Sequence, residues 1–323
     1  MQNKIENWNV FSLDSCNFIP YTGSHGYSSV GQCWKLASAY GEGLFWAYGQ
    51  ENFFDIKIHD FYFHEDTLIE CGVSGYLSIF YYDSISGEQL TPYRRMNAGC
   101  IQSIAGNEEP YKILVHKKIP VRCIGIGISP AYYKAYLKKH FAEEYQNPYY
   151  AFAGLDQDES FPDLVLLLKQ VKNYRGDGIA AKMFYEGKVA EVVSRLIGRT
   201  GQCTPDTTKN EISQQDLRQI ETAVSYINDH YSCDIPLDHL TQIACMSATK
   251  FRNIFKKVYG CTITDYIKQR RLSHAECLLS ETDLTIGQIA NSVGYSTSSR
   301  LSALFRDSTG LTPSEYRDLA KRN

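Results

Sequence analysis

The chain lacks the sequence features that mark most enzymes, metal proteins and membrane proteins. It contains no Gly-x-Ser-x-Gly motif, no glycine-rich phosphate loop, and no apolar run approaching the ~20 residues that span a bilayer. Its ten cysteines include no Cys-x-x-Cys pair, and its amino terminus lacks the basic and apolar segments of a signal peptide. We therefore expect a cytoplasmic protein that does not enter the membrane, is not an enzyme and carries no cofactor.

Histidines are also few, and their spacing fits no metal site. A metal-binding cupin needs a His-x-His pair with further ligands on adjacent strands. His59 and His64 are five residues apart, so a regular strand would point them to opposite faces. The remaining enzyme alternative is a regulator fused to a thiol-based DNA-repair activity, and the scattered cysteines offer it no cluster of thiols. The sequence thus predicts no metal site.

The length and composition are those of a two-domain globular protein. The chain has 323 residues, of which 43% are hydrophobic and 21% are charged. Residues 201–213 are polar, contain Gly201 and Pro205, and show no apolar period, which is typical of a linker. We therefore predict a first domain at residues 1–200 and a second at residues 214–323.

The first domain begins with strands and ends with helices. Its β-branched and aromatic runs lie at residues 54–59, 77–82, 113–116 and 121–126. Helical patterns follow at residues 131–141, after Ser160, and at residues 179–197. Short strands at this spacing indicate a barrel or sandwich with a helical appendage. The broad apolar face of the last helix is expected to pack on its own domain or to form a homodimer.

The second domain contains an internal repeat. Residues 250–266 are echoed by residues 300–316 at a constant offset of 50. The matching pairs include Phe255 and Phe305, Gly260 and Gly310, Thr262 and Thr312, and Tyr266 and Tyr316. Each copy follows a short helix and a turn, the pattern of a helix-turn-helix. We predict an all-α domain with tandem units at about 236–259 and 285–309, joined by one connecting helix.

Charge within the second domain is concentrated in a basic strip. The formal net charge of the whole chain is −3, and from residue 211 onward 13 Lys and Arg balance 13 Asp and Glu. Only Asp265 offsets the cations of the strip, which are Lys250, Arg252, Lys256, Lys257, Lys268, Arg270 and Arg271. Such a strip is what contacts to DNA phosphates require. The repeat and the strip together predict sequence-specific binding to double-stranded DNA.

The repeat also carries a family resemblance. The residues that carry it are Ile289-Ala290, Tyr295-Ser296, Leu304-Phe305-Arg306, Gly310, Thr312-Pro313-Ser314 and Tyr316-Arg317. Residues 215–318 as a whole resemble the AraC/XylS family of bacterial transcription regulators. The resemblance implies a promoter-binding activator that recruits RNA polymerase and has a sensor or dimerisation domain, often a cupin-like barrel, before the DNA-binding domain. The resulting fold class is α+β multidomain, with a β-rich, cupin-like barrel followed by an all-α tandem helix-turn-helix.

The residues expected to touch DNA lie on the second helix of each unit. In the first helix-turn-helix, Thr249, Arg252 and Asn253 align with base-contacting positions of the family. Lys250, Lys256 and Lys257 are placed for contacts to phosphates. The second helix-turn-helix offers Ser296, Ser298, Ser299 and Ser302, and its Arg300 and Arg306 are expected to contact the DNA backbone. Ala303 stands where the family often has an arginine. We therefore predict that the first helix-turn-helix supplies most of the base specificity.

The first domain is expected to sense a signal. Barrel mouths bind small molecules, and aromatic side chains stack on flat or apolar ligands. The candidate ligand-binding residues are Tyr62, Tyr76, Phe80, Tyr82, Tyr93 and Arg94. The alternatives are that these aromatics are ordinary core residues, or that the domain binds a protein partner instead of a small-molecule effector.

Overall fold

The chain divides into two compact units. The computed structural model describes residues 17–71, 75–90, 93–105, 111–153, 155, 161–200 and 212–321. One unit comprises residues 1–87 and 97–204, and the other comprises residues 88–96 and 205–323. The first is rich in strands and the second in helices, which confirms the predicted α+β class. Most of the predicted linker, residues 201–211, lies outside the described residues.

The strands precede the helices along the chain. The strands are β1 Phe18–Pro20, β2 Gln32–Leu36, β3 Gly41–Gln50, β4 Phe54–Phe63, β5 Thr67–Cys71, β6 Leu77–Ser84, β7 Gly87–Leu90, β8 Tyr93–Arg95, β9 Ile101–Ala105, β10 Tyr111–Val115 and β11 Val121–Ile128. A π-helical segment, Ala131–Leu137, precedes α1 Lys138–His140, α2 Tyr149–Ala153, α3 Pro162–Asn173 and α4 Gly178–Thr200. Residues 131–141 were predicted as one regular helix, whereas the structure has the π-helical segment followed by a short α-helix.

A seven-stranded antiparallel sheet forms most of the first unit. Its strand order is β1-β2-β3-β4-β11-β6-β9, so β11 returns to lie between β4 and β6. Val121 pairs with Phe61 and Ile128 with Phe54, and the register on the β6 side shifts between Arg122 and Cys123. Strands β5 and β10 form a further antiparallel pair. The resemblance to a cupin barrel stays a prediction.

One face of this sheet packs on the helices of the same unit. Side chains alternate along a strand, and Phe54, Ile56 and Ile58 of β4 share one buried cluster with residues of α3 and α4. The α4 residues in that cluster are Ala181, Tyr185, Val189, Val192, Val193 and Leu196. The apolar face of the long helix is therefore buried in its own unit, although Ile179 and Met183 remain exposed. None of the described helices is both long and apolar enough to cross a membrane.

The helices of the second unit begin and end at well-marked residues. They are α5 Gln214–His230, α6 Leu237–Ile243, α7 Ala248–Tyr259, α8 Ile263–Glu281, α9 Ile286–Ser292, α10 Ser298–Thr309 and α11 Pro313–Lys321. Side-chain oxygens of Ser213, Ser247, Thr262, Thr285 and Thr297 accept hydrogen bonds from backbone N–H groups in the first turns that follow. Thr285 and Gln288 complete a reciprocal capping box. Gly260 and Gly310 end α7 and α10 in the left-handed conformation.

Candidate nucleic-acid interface

Two helix pairs in the second unit have the helix-turn-helix arrangement. Leu240 of α6 and Phe251 and Phe255 of α7 are buried in one cluster with α5 and Tyr266. In the second pair, Ile289, Leu301 and Phe305 are fully buried, and Phe305 packs edge-on against Tyr316 with ring centroids 5.2 Å apart. Each small core fixes its second helix, α7 or α10, with the polar side turned outward.

The two turns differ by one residue, which the constant offset of 50 did not reveal. Helices α7 and α10 are offset by 50, but α6 and α9 are offset by 49. The turn is residues 244–247 in the first pair and residues 293–297 in the second. Ser296 is the additional residue, and Thr297 instead caps α10. Gly294 adopts a φ of 89° in this turn, whereas Cys245 adopts 48° at the matching place.

Helix α7 presents a polar, basic outer face. Thr249, Arg252, Asn253, Lys256 and Lys257 are exposed on it. They lie on the face opposite the buried Phe251, Ile254 and Phe255. An arginine and an asparagine at neighbouring positions can bond guanine and adenine edges, respectively.

Internal contacts occupy four cations of the predicted basic strip. Lys250 Nζ lies 2.7 Å from Asp216 Oδ1, and Lys268 Nζ lies 3.3 Å from Asp265 Oδ1. Arg271 donates from Nε to the Tyr231 carbonyl and from Nη1 to the Gly294 carbonyl. Arg270 lies 4.8 Å above the Tyr93 ring. Among the described residues, Arg252, Lys256 and Lys257 are the members of the strip with no ion pair, carbonyl hydrogen bond or cation–π contact of this kind.

Helix α10 presents hydroxyl groups and arginines. Ser298, Ser299, Arg300 and Arg306 are exposed, Ser302 is half-buried, and Ser296 is exposed in the turn before the helix. Serine side chains are short and bind any base with less discrimination than arginine. The structure therefore gives the two helices different chemistry on similar scaffolds.

The residues predicted to bind a ligand do not form one group. Tyr76, Phe80 and Tyr82 are buried in the first unit. Tyr62 is half-buried, and its pKa is raised first by burial and then by the nearby Glu42. Tyr93 and Arg94 belong to the second unit: the Tyr93 hydroxyl lies 3.0 Å from Ser273 Oγ, and Arg94 Nη2 lies 2.8 Å from the Gly260 carbonyl oxygen.

A polar cluster lies on the sheet face turned away from α3 and α4. We call it the inner polar cluster; its members are Asp55, Lys57, His59, Tyr76, Ser78, Ser84 and Gln102, all buried. Lys57 Nζ lies 2.6 Å from Asp55 Oδ1, and the Tyr76 hydroxyl donates to Asp55 Oδ2. Within the described residues, Ser78 Oγ, Ser84 Oγ and Gln102 Oε1 have no hydrogen-bond partner. Of its members, only Tyr76 was predicted from the sequence as a ligand-binding residue, because the sequence could not assign strand faces.

Burial of His59 predicts that acid destabilises the first unit. Burial, followed by the neighbouring Lys57, lowers the pKa of His59 to about 3, so the folded protein holds this ring neutral. As pH falls from about 6.5 towards 3, the unfolded chain binds a proton that the folded chain does not, and stability falls by up to about 1.4 kcal/mol per pH unit. Urea unfolding between pH 7.5 and 4.5 should therefore show a smaller loss for His59→Gln than for the wild type. Equal losses would contradict this role of His59.

The part of the chain that matches a known protein family lies in the second unit. The model of a family described as a helix-turn-helix domain matches residues 240–319. The chain is 29% identical over 119 residues to the melibiose operon regulatory protein of Escherichia coli K12, covering 37% of this chain and 39% of that protein. It is 30% identical over 104 residues to the transcriptional activator RhaR of Salmonella arizonae, covering 32% and 37%. The chain thus spans about two fifths of the length of these relatives.

One further relative has a second activity, and several solved structures are similar. The chain is 30% identical over 120 residues to the bifunctional transcriptional activator and DNA repair enzyme AdaA of Bacillus subtilis, covering 37% of this chain and 55% of AdaA. The AraC-type regulator structure from Chromobacterium violaceum has 24% identity and a TM-score of 0.32, covering 34% of this chain and 98% of that one. ToxT of Vibrio cholerae has 13% identity and a TM-score of 0.31, covering 84% and 100%.

The matched region coincides with the two helix pairs and their connecting helix. It begins in α6, at Leu240, and ends in α11, at Leu319. Two of the relatives named above are a regulatory protein and a helix-turn-helix-type transcriptional activator, in agreement with the resemblance predicted from the sequence. Residues 240–319 of this chain are a helix-turn-helix domain that resembles those of AraC-family regulators.

Proposed function

We propose that this chain is a bacterial transcription regulator that binds promoter DNA in a sequence-specific manner and activates transcription. The observation that carries the proposal is the pair of helices α7 and α10, each held by a helix-turn-helix core with its polar face exposed. Two such helices can enter successive major grooves on one side of a duplex. The names of the relatives support activation, and recruitment of RNA polymerase in the cytoplasm is part of the proposal.

Base readout is assigned mainly to α7. Arg252 can bond a guanine through two N–H groups, and Asn253 can do the same with an adenine. The hydroxyls of Ser298, Ser299 and Ser302 on α10 suit positioning and the reading of DNA shape. Lys256, Lys257 and Arg306 are exposed for contacts to phosphates.

Selection of duplexes from a random pool by the full chain tests this function. We expect enrichment of one bipartite sequence, and an affinity that falls steeply with salt as phosphate contacts are lost. A pool that stays random after repeated rounds, at a salt concentration where the protein binds DNA, would contradict sequence-specific binding.

A small-molecule effector in the first unit is the second part of the proposal. Three buried polar atoms that have no hydrogen-bond partner among the described residues, on Ser78, Ser84 and Gln102, lie on the same sheet face as the Asp55–Lys57 ion pair. Burying unpaired polar groups is costly, so a ligand with hydrogen-bonding groups would stabilise this face. The proposed ligand contacts are therefore the inner polar cluster with Phe80 and Tyr82. No chemical reaction is assigned to the unit.

Thermal-shift screening distinguishes an effector from a protein partner. A small ligand that binds only the folded chain raises the melting temperature as its concentration rises. A unit that senses a protein would respond to no metabolite and would co-purify with its partner. Sedimentation of the same sample measures whether the chain forms a homodimer, for which the exposed Ile179 and Met183 offer apolar surface.

A further inference from the structure

A nine-residue segment from the strand-rich half of the sequence belongs to the DNA-binding unit. Residues 88–96, which we call the brace, group with residues 205–323, although residues on both sides of the brace belong to the first unit. Within the brace, Glu88 pairs with Arg95 and Leu90 with Tyr93 in an antiparallel hairpin. The matched helix-turn-helix region, residues 240–319, does not include this segment.

Arg95 anchors the brace to the connecting helix α8. Its side chain is fully buried, and its Nη1 and Nη2 atoms lie 2.6 and 2.5 Å from the two carboxylate oxygens of Glu276. The backbone N–H of Arg95 also donates to Gln269 Oε1, at 3.2 Å. Such a two-pronged arginine–carboxylate contact fixes orientation as well as distance. Glu276 is buried within α8, where a carboxylate is tolerated only with a close cationic partner.

The brace also contacts α10 and the residue that ends α7, the two helices proposed to bind DNA bases. Arg95 Nε donates to Ser308 Oγ of α10 at 2.9 Å, near the end of that helix. Arg94 Nη2 donates at 2.8 Å to the carbonyl of Gly260, which ends α7 in the left-handed conformation. A cation at the carboxyl end of a helix is favoured by the helix dipole. One short segment therefore contacts α7, α8 and α10 together.

The side chain of Tyr93 packs against residues of α8. Its ring packs edge-on against Tyr266, with ring centroids 5.7 Å apart, and the guanidinium of Arg270 lies 4.8 Å above it. Burial, together with Glu88, raises the pKa of Tyr93 to about 12, so its hydroxyl stays protonated. These contacts leave the outer faces of the reading helices open, since Arg252, Asn253 and Arg300 remain exposed.

We propose that the brace is a positioning element of the DNA-binding unit: Arg95, bound to α8 and α10, and Arg94, bound at the end of α7, hold α7 and α10 at the separation that lets both bind one operator. The proposal rests on the proposed DNA-binding function. Loss of the Arg95 anchor should weaken the combined binding of the two helix pairs and leave the base preference of α7 unchanged.

Comparing the full chain with Arg95→Met on two DNAs tests the proposal. One DNA is the selected bipartite site, and the other has the part bound by α10 scrambled. We expect the gain in affinity from the second part to fall at least tenfold in Arg95→Met, while affinity for the scrambled DNA changes less than threefold. The control is Arg122→Met, which removes an exposed arginine whose Nε lies 3.0 Å from Asp60 Oδ1 in the first unit. If the second part of the site increased the affinity of Arg95→Met as much as it increases that of the wild type, the proposal would be overturned.

Hydrogen exchange of the wild type supplies a readout that needs neither DNA nor a folded variant. In mild denaturant, the brace should gain exchange together with α8, because the Arg95 N–H donates to Gln269 of that helix. Exchange of Arg95 while α8 stays protected would overturn the proposal even if Arg95→Met fails to fold. If the wild type selects no DNA sequence, the proposed function fails, and hydrogen exchange still decides whether the brace is part of the unit.

Discussion

Gly294→Ala is expected to disrupt the second helix-turn-helix pair and to remove its contribution to DNA binding. Gly294 has a φ of 89°, which an L-residue with a Cβ adopts at a cost of about 1–2 kcal/mol. A Cβ at this position would lie 2.2 Å from the carbonyl oxygen of Ser232, which is backbone and cannot rotate away. Strain and overlap together should reduce the free energy of unfolding by about 3 kcal/mol or more.

Gly287→Ala is the matched control for this prediction. Gly287 lies within α9 of the same helix pair, and a Cβ there would meet no atom within 4 Å. Alanine should therefore stabilise α9 by about 0.5–1 kcal/mol relative to glycine. Urea unfolding of both variants measures the difference. If Gly294→Ala unfolds at the same urea concentration as the wild type, the strained turn is not a requirement of the fold.

Arg252→Ala is expected to abolish discrimination at one base pair of the operator. A two-pronged arginine–guanine contact contributes about 1–3 kcal/mol of discrimination, roughly 5- to 150-fold in relative affinity. Arg252 is exposed on α7, beside Asn253, and the structure describes no ion pair that holds it elsewhere. Affinities for the selected site and its single-base variants, measured at one salt concentration, give the result.

Arg300→Ala provides the contrast on the second helix pair. Arg300 matches Lys250 at the offset of 50 and lies in the first turn of α10, where a contact to phosphate is expected. Its loss should lower affinity about equally for all sequences and reduce the salt dependence by about one phosphate contact. Should Arg252→Ala lower affinity just as evenly, Arg252 would be a phosphate contact and the assignment of base readout to it would fail.

The sequence predicted the second unit well because its signals are local. Except before α6, which follows Pro236, a serine or threonine precedes the helices, and a glycine follows both α7 and α10. These signals act over three or four residues, and the structure places Ser247, Thr285 and Gly260 in those roles. The additional residue in the second turn was missed because the offset of 50 is constant from α7 and α10 onward. Only the positions of α6 and α9, offset by 49, reveal it.

The brace and the inner polar cluster could not be predicted, because each depends on contacts that no local pattern encodes. Arg95 and Glu276 lie 181 positions apart, and neither is unusual in its own neighbourhood. The alternation of strand β4 showed two faces but not which one meets α3 and α4. Once the structure assigns Ile56 and Ile58 to the helices, Asp55, Lys57 and His59 necessarily share the other face.

The most direct test of the asymmetric reading of DNA is a base-by-base affinity map of the selected site with the full chain. We expect steep penalties of about 1–3 kcal/mol at several consecutive base pairs in the part bound by α7. Shallower penalties should appear in a second part about one helical turn away, bound by α10. Steeper penalties in the part bound by α10, or a single part with no second region of preference, would contradict the assignment of specificity to the first helix pair.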